Sequence, residues 1–136
     1  MTFEPKTPTT LDAFTRGYIE CMMWCEMDGS DSSGGYPLDA KYTIADIAPD
    51  TMQLIIYNCK RFQTENADLL AEVDYGHPDF SNAAIAGHDF WLSRSGHGTG
   101  FQDRGLGTAG DRLAAASRRT GECSIYVSDH AQIHVV

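Results

Sequence analysis

The sequence predicts an α+β fold: N-terminal helices packed with a small antiparallel sheet, formed by a C-terminal unit in the order strand, strand, helix, strand, strand. Two observations carry this. Apolar residues recur at helical spacing through the first half of the chain, and from His88 onward the pattern shortens to alternation broken by glycine. A third sets the scale: 136 residues with 42% hydrophobic and 21% charged side chains match one folded domain with one core. The expected organisation is therefore a single domain over 1–136, mainly helical and acidic over 1–87, with a ββαββ unit over 88–136.

The first element follows from Thr9 and Asp12, spaced as a capping box, and from Leu11, Phe14, Tyr18, Met22 and Cys25, which mark one face of a helix reaching about residue 27. DGSDSSGGYPLD, Asp28 to Asp39, is too rich in Gly, Ser and Asp for regular structure and reads as a loop. It has Asp at both ends of a twelve-residue stretch, but Ser30, Ser32 and Ser33 stand where a calcium loop needs Asp, Asp or Asn, and Gly. Pro49 suits the first turn of a second helix over about 49–71, whose face comprises Met52, Ile55, Ile56, Cys59 and Phe62, extended by Leu69, Leu70 and Val73. After the break at Gly76, His77 and Pro78, the stretch PDFSNAAIAG predicts a short helix stopped by Gly87 at its C′ position.

HDFWLSRS and GTGFQDRG then predict two strands joined by a turn at Ser95-Gly96-His97-Gly98. Alternation puts His88, Phe90, Leu92 and Arg94 on one face of the first strand and Asp89, Trp91 and Ser93 on the other. Phe90 and Leu92 should meet the helices, which turns Trp91 outward beside Tyr126. Thr108 with Asp111 opens a helix over Asp111 to Arg119, ended by Thr120-Gly121, and the strands ECSIYVS and IHVV follow around a turn at SDHAQ.

The net charge is −9, and its distribution is uneven: residues 1–87 hold 14 acidic against 5 basic side chains, whereas 88–136 hold 5 of each. An acidic field repels phosphate backbones, so direct nucleic-acid binding is disfavoured. Glu20, Glu26, Asp28, Asp31, Asp39, Asp46 and Asp50 cluster around the loop and give the first helix and its exit a negative surface suited to a basic partner. MTFEPKTPTT lacks a basic segment followed by an apolar one, and no run of residues is long and apolar enough to span a bilayer, so a cytoplasmic location is expected. Cys21, Cys25, Cys59 and Cys123 form no C-x-x-C pair and read as buried thiols.

The densest concentration of reactive side chains is GHDFWLSRSGHGTGFQDRG, Gly87 to Gly105, with two His, two Asp, two Arg, one Trp and two Phe. His77, His88 and His97 with Asp79, Asp89 and Asp103 offer metal-ligand types in no recognised spacing, so neither a metal nor another cofactor is assigned. No Walker-type or G-x-S-x-G motif occurs, and no residue is assigned as catalytic. Arg94, Asp103 and Arg104 suit cross-strand ion pairs. Trp91, Arg94, His97, Asp103, Arg104 and Tyr126 are thus the binding candidates of this segment, and Glu26, Asp28 and Asp31 those of the acidic region.

LDAFTRGYIE, YPLDAKYTIADIAPDTM, AGHDFWLSRSGHGTGFQDRG and GECSIYVSD together resemble a family of small proteins encoded by bacteriophages and related mobile elements, with GHDFW…GHG…F.DRG the most specific part. Gln102 stands where related sequences have a second Trp. The resemblance implies no catalytic residues. Taken with the acidic first half, this context leads to the expectation of a non-enzymatic phage or mobile-element accessory protein in the host cytoplasm that works by protein–protein contact, one version of which inhibits a host nucleic-acid-binding or defence factor through its acidic surface. Two alternatives stand beside it: a small enzyme or metal- or ligand-binding protein with its site over His88 to Arg104, and single-stranded nucleic-acid binding by Trp91, Tyr126 and nearby Arg.

Overall fold

The computed structural model describes residues 11–27 and 37–135. Among these residues, five α-helices precede a two-stranded antiparallel sheet: α1 (Ala13–Cys25), α2 (Pro49–Glu65), α3 (Ala67–Glu72), α4 (Asn82–Arg94), α5 (Gly107–Arg119), β1 (Ile125–Val127) and β2 (Ile133–Val135). Asp12 caps α1, its carboxylate accepting from Thr15 N–H at 2.8 Å. Thr9, the partner expected for it, lies outside the described residues, as do Asp28 and Asp31. The face predicted for α1 is the one that enters the core, with Phe14, Tyr18 and Met22 at 1% exposure or less.

The long helix expected over 49–71 divides at Asn66. Both its backbone N–H and its side-chain amide donate to the Phe62 carbonyl, at 3.0 and 2.9 Å, and this local competition for a helical acceptor ends α2 before α3 begins.

The principal correction concerns His88 to Gly105, where no hairpin forms. Residues His88 to Arg94 are the second half of α4, which is capped by Ser81 and continues through Gly87 instead of stopping there. Helical geometry sends Phe90 and Trp91 inward together with Asp89, Ser93 and Arg94, all buried. An element buried around most of its circumference has no polar stripe to reveal its period, which is why alternation suggested a strand. Gly87 serves a crossing: a Cβ there would collide with the Phe14 carbonyl and stand 2.8 Å from Tyr18 N, while one at Gly17 would strike the backbone of Ala84. These two glycines let α1 and α4 approach until their backbones touch. The second expected strand is a loop and a 3-10 turn, Phe101–Asp103, entered through Gly100 at φ 135°, a conformation side chains rarely adopt.

The core is a column of rings: Phe62 and Phe90 stack at 4.1 Å between centroids, flanked by Phe14 and Phe101, and Tyr18 meets Trp91 edge to face at 5.3 Å. α5 begins at Gly107, earlier than expected, and ends at Thr120 as expected. β1 and β2 pair with Tyr126 opposite His134, and buried Ile133 accepts from Ala48 N–H at 2.9 Å, tying the sheet to the start of α2. The C-terminal unit is thus helix end, 3-10 turn, helix and two strands rather than ββαββ. The α+β class stands, with helices dominating.

Candidate functional site

The most elaborate polar arrangement is built on Asp89. Its position on the inner side of α4 leaves its side chain with no exposure, and an ionised carboxylate there needs donors. Arg104, delivered by the turn after Phe101–Asp103, supplies them: Nε donates at 3.0 and 3.2 Å to the two oxygens and Nη2 at 2.8 Å to Oδ1. Tyr75 Oη adds a bond of 2.8 Å to Oδ2. The Asp89 bonds hold the Arg104 guanidinium above its ordinary pKa, while burial and then the same carboxylate push the Tyr75 phenol far upward. Arg104 keeps 39% of its side chain exposed, so this fixed cation still reaches solvent.

Arg104 reaches solvent in a cavity of about 210 Å³ that it lines with Glu20, His77, Phe80, Ala84, Ile85 and His88. Its walls come from α1, the loop before α4, α4 itself and the turn that carries Arg104. His88 is depressed in pKa chiefly by burial, with Glu20 and Asp89 pulling upward and Arg104 downward, so the imidazole is neutral at pH 7 between charges of both signs. Phe80 stands 58% exposed, and the His77 ring lies 5.0 Å from it at 55°. A larger hollow of about 410 Å³ between α2 and α5 is lined by Arg61, Glu65 and Arg119, of which the highly exposed Arg61 and Glu65 pair with each other.

A second polar node lies at the other end of α1. Glu26 Oε2 accepts from Trp91 Nε1 at 3.0 Å and lies 2.7 Å from His97 Nε2. It anchors the helix exit, where Trp24 and Met27 face solvent at 66% and 51% exposure.

The binding candidates read from the sequence separate accordingly. Trp91 is fully buried instead of outward, which removes it from any contact surface and from base stacking. Arg94 is also buried: it donates to the carbonyls of Thr120 and Gly121 and to Tyr18 Oη, and its guanidinium lies 5.4 Å from the Phe90 ring centre. It closes the C-terminal end of α5, where carbonyl dipoles favour a cation. Asp103 caps its own turn by accepting from Gly100 N–H at 3.1 Å. The expected ladder of Arg94, Asp103 and Arg104 is therefore absent, and Arg104 pairs with Asp89 instead. Tyr126 is 49% exposed and stacks on His134 at 4.9 Å. His77 Nδ1 accepts from Asp79 N–H at 3.0 Å in a local turn. Among the described residues, no group of three or more His, Cys, Asp or Glu is placed to hold a metal ion. No described helix is long and apolar enough to cross a membrane.

Sequence reasoning missed Trp24, Tyr75 and Phe80. Trp24 had a signal: it lies off the face marked by Phe14, Tyr18, Met22 and Cys25, so helical periodicity alone sends it to solvent. Tyr75 and Phe80 lie between helices, where no periodicity assigns a direction. Comparisons with protein-family models, with curated proteins and with solved structures returned no match.

Proposed function

We propose that the protein works by binding another protein through the exit of α1, and that its partner presents a basic surface. The observation that carries this reading is the 66% exposure of Trp24, three residues before a half-exposed Met27 and one turn before the acidic segment that begins at Asp28. An indole left in water on a rigid helix is a ready hot spot. Covering its remaining apolar surface, on the order of 100–150 Å², at about 25 cal/mol per Å² contributes roughly 3 kcal/mol, enough to dominate an interface of standard size. Glu26, bonded to Trp91 and His97, keeps the helix exit in place, so little ordering cost falls on association.

The partner's chemistry follows from charge. All of the −9 lies before residue 88, with Asp28 and Asp31 within seven residues of Trp24 and Asp39 at the far end of the same loop. Such a field speeds docking of a basic surface and repels an acidic one. Together with the resemblance to bacteriophage proteins, this makes a host nucleic-acid-binding or defence protein the candidate partner, inhibited by occupation of its basic face.

The test is capture of basic host proteins by wild type and by two variants, Trp24→Ala and the triple charge reversal Asp28→Lys, Asp31→Lys, Asp39→Lys, which leaves the Glu26 anchor intact. Loss of one captured protein in both variants, with binding that weakens as salt rises, is expected. Capture that survives Trp24→Ala undiminished contradicts the reading.

A further inference from the structure

The cavity beneath Phe80 plays no part in the interface proposed above, and its lining specifies a ligand more closely than any other feature of the described residues. Its two charged groups are complementary in kind. Arg104 has only donors to offer, and Glu20, when ionised, only acceptors. The three bonds to Asp89 occupy Nε and Nη2 of Arg104, and Nη1 takes no part in them. The carboxylate that holds this guanidinium is itself wholly buried and further fixed by Tyr75, so the donor is oriented before any ligand arrives. Glu20 and Arg104 line the same cavity together with the half-buried imidazole of His88, so one ligand seated there meets both charges.

A ligand that satisfies both must therefore carry acceptors at one edge and N–H donors at another. A simple anion would meet Arg104 and be repelled by Glu20, and a simple cation would meet the reverse. Neutrality with two opposed polar edges is what the pair selects. The remaining walls select shape: Phe80, exposed at the rim, with His77 tilted against it and Ala84 and Ile85 behind, offers apolar faces to a flat ring. About 210 Å³ is the space of roughly seven waters at about 30 Å³ each, which suits one fused ring system and not a dinucleotide.

Guanine has these properties. Its O6 and N7 form the acceptor edge that Arg reads in pairs, and its N1–H and N2–H₂ groups form a donor edge for a carboxylate. Adenine presents a donor where guanine presents O6, and would confront Arg104 with an amino group. We propose that this cavity binds a guanine-type heterocycle as a free base or nucleoside, with Arg104 on the acceptor edge, Glu20 on the donor edge and Phe80 over the ring face. The acidic field of the first 87 residues works against nucleotide phosphates and nucleic-acid strands, so the nucleoside should bind better than its monophosphate.

The experiment is an NMR titration of the full chain with guanosine, inosine, adenosine and guanosine monophosphate, repeated on Glu20→Gln and Phe80→Ala. Both substitutions fall on exposed side chains, and retained backbone spectra establish that the variants fold. Guanosine is expected to shift the resonances of His77, His88 and Ile85 in a saturable way. Inosine, lacking the N2 amino group, should bind several-fold more weakly, adenosine at least tenfold more weakly, and each variant about tenfold more weakly. Adenosine or the monophosphate binding as well as guanosine, guanosine binding unchanged in Glu20→Gln, or no shifts with any probe at millimolar concentration would each overturn the proposal.

Discussion

Replacing Arg104 with Ala should destabilise the fold far more than a half-exposed surface residue normally would. The substitution removes three hydrogen bonds at 2.8–3.2 Å from a carboxylate with no exposure, leaving Tyr75 as the donor that remains on Asp89. Breaking a buried charge pair typically costs about 3–5 kcal/mol because the partner stays charged and unpaired. Here the guanidinium side is open to solvent, and water entering the vacated space recovers part of that, so we expect a loss of about 2–3 kcal/mol. At roughly 3–4 °C per kcal/mol for a chain of this size, Tm should fall by about 6–12 °C. The decisive assay is a double-mutant cycle in urea. Arg104→Met paired with Asp89→Leu, which removes both charges, should recover most of the loss seen in Arg104→Met alone. Purely additive effects of the two substitutions would show that Asp89 does not depend on Arg104, and the reasoning about the fixed guanidinium would fail with it.

Other outcomes follow from the same geometry. Gly87→Ala should cost about 3 kcal/mol or more, since the new methyl meets the backbone of α1 and can be accommodated only by parting the helices; a urea midpoint equal to wild type would refute the close crossing. Burial lowers the pKa of His88 below its ordinary 6.5, so the unfolded chain binds the extra proton more readily, and stability should decline as pH falls through about 6.5 toward the lower folded value; His88→Gln should flatten this dependence in urea melts between pH 7.5 and 5. Trp24→Ala should leave Tm within about 2 °C, because a side chain 66% exposed contributes little to folding. Burial raises the thiol pKa of Cys21 and of Cys59, so both should resist a disulfide reagent in the native protein and react promptly in urea; fast native labelling of either would contradict their burial.

Much of the architecture was legible because the signals were local and redundant. Pro49 starts α2 where capping chemistry puts it, Thr120 ends α5, and Phe14, Tyr18, Ile55, Cys59 and Phe62 occupy the faces their spacing assigns, whereas Asp12 is itself the N-cap of α1 and not the third helical residue after a Thr9 cap. Tyr126 points outward, as strand alternation requires. The segment His88 to Gly105 misled because α4 is buried on nearly all sides. Apolar Phe90 and Trp91 and polar Asp89, Ser93 and Arg94 all turn inward, and the polar ones are satisfied by residues far away in sequence. Gly87 was read as a stop from its conformational freedom, whereas its role lies in the space it leaves for Phe14 and Tyr18. The same long-range pairing redistributed the candidate residues. Trp91, His97 and Glu26 join one another, Arg94 joins a helix end, and Arg104 alone of that group both binds inward and faces a cavity.

The proposal that recognition lies at the exit of α1 is tested most directly by site-specific photo-crosslinking in host lysate. A photoreactive phenylalanine analogue at position 24 should trap one basic protein, and the same analogue at Tyr57, 59% exposed on α2, should not. Equal trapping from both positions, or trapping from position 57 alone, would contradict it.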